Sequence, residues 1–305
     1  MSYKAKPDTE RVLDRALDYV HSVRYRVGLR WVFYRLLQDG TFQEKKDYKR
    51  LTTYTSRARK NFAHGWEPDT LTDDTRSALL SEREGWYTLR FRGHGFASEE
   101  AWMAAVLKEL NCPLDRWMTQ PAYVELWFEA KAMLSQFRFY ADENMPLLPF
   151  GGDVSINEKW VSSLRLLARW RSMHKPVYVL YYGDLDNKGL LIPRSAERDV
   201  RWFIRCAIHL TEGKSTDEAK QEAQSFFDDF HWLRMGLNRE HVSRFSIPTN
   251  PDRPGSFQWE ALDDAGAQTL ITEANSYVDS AAFARIIQQE TEIRDRIRAR
   301  LNGAV

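Results

Sequence analysis

The sequence predicts an α/β protein in which a basic helical module precedes a domain built on a parallel sheet. Residues 1–60 carry fifteen Lys and Arg against seven Asp and Glu, although the net charge of the whole chain is only +1. From residue 123 onward, strand-like apolar runs alternate with helical patterns, which is typical of a parallel sheet with crossover helices. A chain of 305 residues is also long enough for two domains, which we place at residues 1–112 and 113–305.

The composition excludes several classes of protein. A hydrophobic fraction of 43% and eleven tryptophans predict a folded core rather than a disordered chain. The two cysteines, Cys112 and Cys206, are too few for a disulfide framework or a structural zinc site. The apolar runs are too short to span a bilayer, and the N-terminus lacks the apolar segment of a signal peptide. We therefore expect a cytoplasmic protein without a membrane partner.

The N-terminal module is predicted to contain three helices. Apolar residues at helical spacing predict the first from about Asp8, the second over residues 28–38 and the third over residues 43–62. Three short helices ending in a basic one suit a helix-turn-helix or winged-helix module whose last helix meets DNA. The alternating residues 86–92 predict a strand that would belong to the wing.

The third helix carries the residues that we expect to bind DNA. These are Lys46, Lys49, Arg50, Arg57 and Lys60. Their charges lie on faces away from the apolar stripe of the helix, where they can contact phosphates. A basic helix is also commonly just a solvated surface. In that case the interaction with DNA would lie elsewhere, along Arg165, Arg169 and Arg171.

The second domain is predicted to hold an acidic site at one edge of its sheet. Strands are predicted at residues 123–128, 146–150 and 177–182. Glu129 closes the first of them, and Asp184 and Asp186 follow the third. Because the carboxyl ends of parallel strands share one edge, the three carboxylates should meet there.

Carboxylates gathered in this way need a compensating charge. Two of them about 4 Å apart repel by roughly 4 kcal/mol at an effective dielectric constant near 20. A shared proton or a cation must offset this repulsion, and Mg²⁺, with Mn²⁺ as an alternative, suits a site made only of oxygen ligands. The other interpretation of the stretch is a polar turn with two solvated aspartates.

Beyond Pro193 the sequence is mainly helical. Helices are predicted over residues 200–210 and 216–233 and from about Ala281, and a further strand is predicted over residues 242–248. Gly213-Lys214-Ser215 does not predict a phosphate-binding loop, because Ile208 stands where that motif requires a glycine.

Several of these residues resemble a known domain family. Glu129 after a hydrophobic strand, Gly151-Gly152, and the stretch GDLDNKG at 183–189 resemble the Toprim domain of topoisomerases, primases and certain nucleases. In that family the Glu and the paired Asp residues hold Mg²⁺ for phosphodiester chemistry. The resemblance therefore implies a metal site at Glu129, Asp184 and Asp186.

A second motif narrows the resemblance. RWVFY at residues 30–34 looks like the Arg-x-x-Tyr-Tyr motif of the topoisomerase VI A subunit and the meiotic double-strand-break transesterases. There the second tyrosine is the nucleophile, and a winged-helix domain precedes the Toprim domain. The resemblance covers roughly residues 10–62 and 115–250. The chain resembles phage- and plasmid-borne Toprim proteins more than housekeeping topoisomerases. The resemblance implies Tyr34 as nucleophile, aided by Arg30, and a homodimer in which this tyrosine faces the partner's metal site.

Three departures from the family pattern affect strand passage more than metal binding. Phe33 replaces the first tyrosine, Glu129-Ala130-Lys131 separates residues that many relatives place side by side, and Asn187-Lys188 precedes Gly189 where topoisomerases usually have Pro and another residue. No ATP-binding motif is present, so strand passage would require a separate ATPase subunit.

Three functions follow from these motifs. The first is Mg²⁺-dependent DNA cleavage by tyrosine transesterification. The second is a Toprim nuclease in which a metal-activated water attacks and Tyr34 only packs. The third is a non-catalytic DNA-binding protein whose acidic site is degenerate.

Overall fold

A computed structural model describes residues 3–23, 27–44, 46–71, 95–109, 113–152, 154–210 and 214–302. The helices in these ranges are α1 (Pro7–His21), α2 (Leu29–Gln38), α3 (Asp47–Lys60), α4 (Glu99–Glu109), α5 (Leu134–Tyr140), α6 (Ile156–Met173), α7 (Asn187–Leu210), α8 (Thr216–Asp229), α9 (Arg239–Arg244), α10 (Asp264–Thr272) and α11 (Ser280–Asn302). The strands are β1 (Tyr123–Phe128), β2 (Leu147–Pro149), β3 (Val177–Tyr182) and β4 (Phe230–Gly236). The predicted α/β class is confirmed.

The first three helices pack around a core of their own. Its buried residues come from positions 13–71, and Leu36, Leu51 and Ala58 are completely buried. α3 begins later than predicted because the Asp47 carboxylate accepts the N–H groups of Gln43 and Glu44 and holds them in a turn. The winged-helix interpretation stays a prediction, since residues 86–92 lie outside the described residues.

The sheet has the order β2-β1-β3-β4 in the part of the chain that the structure describes, and every neighbouring pair is parallel. The predicted parallel sheet is therefore confirmed. All six side chains of β1 are buried, as expected for a central strand covered on both faces by helices. Among the described helices, none combines the length and apolar character needed to cross a bilayer.

Two predictions for the C-terminal part were wrong. The helix predicted over residues 216–233 ends at Asp229, and the chain continues as β4, which pairs with β3. Pairing covers an edge of β3 that would otherwise be open, and this tertiary gain outweighs the local helical pattern. The strand predicted over residues 242–248 is instead the end of α9 and a loop. The first turn of that helix is fixed by His241, whose Nδ1 accepts the N–H of Asn238 at 3.2 Å.

The N-terminal helices also contact the sheet domain. Phe62 lies just after α3, and its ring centroid is 5.4 Å from that of Trp160 on α6 and 6.5 Å from that of Phe203 on α7. The indole N–H of Trp202 donates to the carbonyl of Lys60 at 2.8 Å. These contacts fasten the end of α3 to the helices that cover the sheet.

Candidate metal centre at the carboxyl edge of the sheet

The carboxyl ends of β1 and β3 lie side by side at the point where the strand order reverses, and we refer to this edge of the sheet as the crevice. β1 lies between β2 on one side and β3 on the other, so the connections on either side of this point diverge. Crevices of this kind are where open α/β sheets place ligands. Glu129 follows β1 and Asp184 follows β3, so the structure brings these two predicted residues together.

Glu129 is held by main-chain hydrogen bonds on both sides. Its N–H donates to the carbonyl of Tyr182 at 3.0 Å, and its carbonyl accepts the N–H groups of Gly151 and Gly152 at 2.9 and 3.1 Å. Its side-chain Oε2 accepts the N–H of Asp184 at 3.1 Å. The main chain of Glu129 is therefore tied to the loop after β2, and its carboxyl group is tied to the loop after β3.

Two glycines allow the loop after β3 to approach Glu129 closely. A Cβ at Gly183 would lie 2.7 Å from Glu129 Oε2, and a Cβ at Gly189 would lie 2.1 Å from the carbonyl oxygen of Asp184. Both distances are too short for a real side chain, so any other residue would push the loop away. The glycines that frame GDLDNKG are thus required by packing.

The two aspartates have different hydrogen-bond partners. Asp184 Oδ1 accepts the N–H of Trp259 at 2.8 Å, whereas Asp186 Oδ1 accepts the N–H of Gly189 at 2.7 Å and caps α7. Within the described ranges, no group of three or more His, Cys, Asp and Glu side chains could hold a metal ion. The charge of Asp184 and, to a smaller extent, that of Asp186 both raise the pKa of Glu129, so Asp184 is the carboxyl group that interacts with Glu129 most strongly, while Asp186 caps α7.

Burial and mutual repulsion change the ionisation of this pair. Desolvation and then the charge of Asp184 raise the pKa of Glu129 to about 7. Desolvation also raises the pKa of Asp184, and the nearby charges of Glu260 and Asp186 add to the rise. A cation bound between the two groups would favour their charged forms.

Sequence reasoning missed Arg234, a residue of β4 that braces the loop after β3. Its guanidinium donates to the carbonyls of Asp184 at 2.6 Å, Gly189 at 2.8 Å and Gly183 at 3.0 Å. Burial lowers the pKa of Arg234, and the charges of Tyr181 and Glu129 act against that. In the sequence, Arg234 stands inside the β-forming run FHWLRMG, but the helix predicted over residues 216–233 overlaps the start of that run. The run is therefore not predicted as a strand.

Tyr181 lies at the same place, with its hydroxyl unpartnered. This oxygen is buried and has no hydrogen-bond partner in the described chain. It lies 2.8 Å from the Cβ position of Gly183, which is itself 2.7 Å from Glu129 Oε2. Burial and the charge of Glu129 raise the pKa of Tyr181, so the phenol stays neutral.

The residues of the crevice fit a hydrated divalent cation. Mg²⁺ in proteins is commonly held by one or two carboxylates and several waters. The candidate ligands here, Glu129 and Asp184, are both carboxylates. Glu129 and Asp184 would be the ligands, because a cation offsets their repulsion. The unpartnered Tyr181 hydroxyl could bond to a metal-bound water.

Tyr34 and Arg30 are on the surface of α2. Tyr34 is 51% exposed, whereas the preceding Phe33 is 4% exposed and fills the core of the module. Arg30 is exposed one helical turn earlier. In the described part of the chain, no hydrogen bond or ion pair joins either residue to Glu129 or Asp184. The structure does not bring these predicted site residues together within one chain.

Four of the five basic residues expected to bind DNA are exposed on or beside α3. They are Lys46, Lys49, Arg50 and Arg57. Lys46 and Arg50 pair with the neighbouring carboxylates of Glu44 at 2.6 Å and Asp47 at 3.0 Å. Lys60 differs, because its Nζ lies 2.6 Å from Asp199 Oδ2 of α7.

The alternative basic stripe on α6 is committed to ion pairs. Arg165 binds the buried Glu125 at 2.7 Å, Arg169 binds Asp115 at 2.7 Å, and Arg171 binds Glu222 at 2.7 Å. Arginines already paired with carboxylates are poor phosphate ligands, since binding DNA would first break those pairs. On α3, Lys49 and Arg57 have no ion pair within the described residues, and these two side chains favour α3 over α6 as the surface for DNA.

Comparison with known proteins assigns no family: no family model, no curated protein and no solved structure matches the chain. What the chain does is therefore inferred from the geometry of the crevice and from the motifs in its sequence.

Proposed function

We propose that this chain cleaves DNA in a reaction that depends on Mg²⁺ or Mn²⁺ held by Glu129 and Asp184. The observation that carries the proposal is the carboxyl pair itself, recessed at the reversal point of a parallel sheet, with the pKa of Glu129 raised to about 7. The likeness of GDLDNKG to the Toprim motif supports a phosphodiester as the bond that is broken.

The residues around the pair have separate roles in this proposal. A bound divalent cation supplies Lewis-acid stabilisation of charge on the phosphate. Glu129 and Asp184 hold and orient the cation, while the Trp259 N–H fixes one oxygen of Asp184. Arg234 secures the loop by bonding to its carbonyls, and Asp186 fixes the start of α7.

Tyr34 is the proposed nucleophile. Its phenolic oxygen forms a bond to phosphorus, the bond from phosphorus to the 3′ oxygen breaks, and the leaving 3′ hydroxyl gains a proton while the phenol loses one. The protein then remains attached to the 5′ phosphate. Arg30, one turn earlier on α2, would stabilise the phenolate or the phosphate. Because Tyr34 is exposed and does not bond to the carboxyl pair of its own chain, we propose that it acts on the site of a second copy in a homodimer.

One observation favours hydrolysis as a second candidate function. The buried hydroxyl of Tyr181 has no hydrogen-bond partner in the described residues and lies beside Glu129, where it could position a water that a bound cation would activate for attack. In this version Tyr34 makes no covalent bond, and both DNA ends are released free.

A plasmid assay separates these functions. Supercoiled plasmid is incubated with protein and Mg²⁺, the reaction is quenched with detergent, and the products are compared with and without protease. DNA that enters the gel as cleaved product only after protease treatment supports transesterification, whereas free cleaved ends without protease support hydrolysis. Glu129→Gln and Asp184→Asn should abolish cleavage, and Glu292→Gln, an exposed carboxyl on α11, serves as the matched control. Absence of cleavage by the wild type with either metal contradicts the proposal.

Metal binding can be measured without DNA. Titration calorimetry with Mn²⁺ should detect a site in the wild type that is absent from the double variant Glu129→Gln with Asp184→Asn. Equal affinity in the two proteins would contradict the assignment of the ligands. Circular dichroism of the variant checks that the fold is retained.

A further inference from the structure

A cavity of about 750 Å³ adjoins the loop that carries the acidic residues. Leu185 and Asp186 of this loop are part of its lining, and they directly follow Asp184 in the chain. The rest of the lining comes from the first turn of α7, from α9 and from the loop over residues 253–257. The cavity and the carboxyl pair therefore share one loop as a common wall.

The charged residues that line this cavity are predominantly cationic. Lys188, Arg239 and Arg253 line it, all three are exposed, and their side chains have no hydrogen bond or ion pair within the described residues. Asp186 is the acidic residue of the lining, and its Oδ1 already accepts the N–H of Gly189. Three unpaired cations against one engaged carboxylate give the cavity a positive potential.

Two further features of the lining suit an anion with oxygen acceptors. Asn187 and Lys188 open α7, and N–H groups in the first turn of a helix have no carbonyl partner in that helix. Ser256 is only 7% exposed, and its hydroxyl has no hydrogen-bond partner. A buried hydroxyl without a partner loses its bonds to water, and a ligand oxygen would restore one of them.

The position of the cavity is fixed relative to the carboxyl pair. Leu185 and Phe257 exchange two main-chain hydrogen bonds, at 2.8 and 3.1 Å, and the N–H of Trp259 binds Asp184 Oδ1 at 2.8 Å. The loop that holds Arg253 and Ser256 is thus tied to the loop that holds Asp184. A ligand in the cavity would have a set position relative to the crevice.

We infer that this cavity binds a phosphate group of the DNA strand on which the carboxyl pair acts, beside the phosphate that is cleaved. The choice of ligand rests on the proposed function. A crevice with two carboxyl groups repels the DNA backbone, so the strand needs cationic contacts on the adjoining phosphates to be held there. Lys188, Arg239 and Arg253 supply these contacts at the wall shared with the acidic loop.

The test measures binding separately from cleavage. Fluorescence anisotropy with a fluorescein-labelled DNA duplex, in EDTA so that no metal-dependent cleavage occurs, compares the wild type with Arg239→Gln combined with Arg253→Gln. The control combines Arg296→Gln with Arg300→Gln, which removes equal charge from exposed positions on α11 outside the cavity. Loss of two phosphate contacts should weaken binding on the order of tenfold in low salt and reduce the slope of log K against log salt by about two.

The outcomes distinguish this inference from the proposed function. A cavity variant that binds DNA as tightly as the wild type, with the same salt slope, overturns the inference even if the wild type cleaves plasmid. Weakened binding in the cavity variant but not in the control supports it, even if no cleavage is ever seen. Lys188→Gln alone, which should reduce the slope by about one, provides an independent variant should the double substitution disturb the fold.

Discussion

Lys60 Nζ and Lys159 Nζ lie 2.6 and 3.0 Å from the same oxygen of Asp199, Oδ2. Lys159 and Asp199 are buried, and Lys60 reaches them from the last residue of α3. The two lysines hold the pKa of Asp199 below its usual value, although desolvation acts in the opposite direction. This ion cluster connects the N-terminal helices to the sheet domain.

Lys60 is therefore expected to contribute to the domain junction and not to DNA binding. Lys49→Gln should reduce the salt slope of DNA binding by about one, because Lys49 is exposed on α3 and has no ion pair within the described residues. Lys60→Gln should leave that slope unchanged and lower the melting temperature. Anisotropy titrations at several salt concentrations check both variants. Equal reductions of the slope by the two substitutions would restore Lys60 as a phosphate contact.

Removing the carboxylate from this cluster should be costly. Asp199→Asn removes the carboxylate charge that faces the buried ammonium group of Lys159, and breaking a buried ion pair in this way typically costs about 3–5 kcal/mol. Urea denaturation measures the free energy of unfolding. The control, Asp228→Asn, neutralises an exposed carboxylate on α8 and should change that free energy by less than about 0.5 kcal/mol. Similar effects of the two variants would contradict this assignment.

Metal-free protein should become less stable as the pH rises from about 4.5 to 7. Since the pKa of Glu129 is raised from 4.5 to about 7 on folding, the unfolded chain loses this proton first, and ionisation then favours unfolding. The full shift corresponds to about 3 kcal/mol, and solvent screening reduces it. Thermal melts in EDTA at a series of pH values test this. Glu129→Gln should flatten the profile, and a profile as steep as that of the wild type would contradict the coupling.

Arg234→Lys should destabilise the protein although it keeps the charge. Lysine cannot reach the carbonyls of Gly183, Asp184 and Gly189 together, and each buried acceptor left unbonded costs about 1–3 kcal/mol. We expect a lower free energy of unfolding and weaker Mn²⁺ binding, since the loop that carries Asp184 loses its brace. Arg244→Lys, an exposed arginine of α9, is the control. Unchanged Mn²⁺ affinity in Arg234→Lys would show that the brace is not needed for the site.

Tyr34→Phe should abolish covalent attachment to DNA without affecting the fold. The side chain is 51% exposed and its hydroxyl makes no hydrogen bond in the described chain, so the melting temperature should stay the same. Tyr48→Phe is a matched control, because Tyr48 is a partly exposed tyrosine of the same module that also packs against Phe33. Detergent-quenched reactions analysed on gels detect the protein–DNA adduct. Cleavage at the wild-type rate by Tyr34→Phe would identify water as the attacking group.

The central strands could be predicted from the sequence, and β4 could not. β1 and β3 begin and end at the predicted residues because buried parallel strands appear as continuous apolar runs. β4 contains His231 and Arg234 and is only partly buried, so its local pattern does not identify a strand. Its pairing with β3 decides its conformation, and that contact is absent from any local window of sequence.

The same division applies to the crevice. The pairing of Glu129 with Asp184 follows from two strands whose carboxyl ends meet, which the alternation of elements predicts. The hydrogen bonds from Arg234 to the Asp184 carbonyl and from the Trp259 N–H to the Asp184 carboxylate could not be predicted. Both donors lie far from Asp184 in the sequence. The cap formed by Asp186 depends on where α7 begins, and the apolar pattern of the sequence predicts that helix only from residue 200.

The contacts from Arg234 also determine when, during synthesis, the loop around Asp184 can take its final position. A ribosome that has released the chain as far as β3 has delivered both carboxyl groups, but Arg234 and Trp259 are still to come. The loop around Asp184 then lacks the guanidinium and the N–H group that hold it in the mature fold. Under the proposed function, cleavage at the crevice would therefore begin only after Arg234 and Trp259 have emerged from the ribosome and made these contacts.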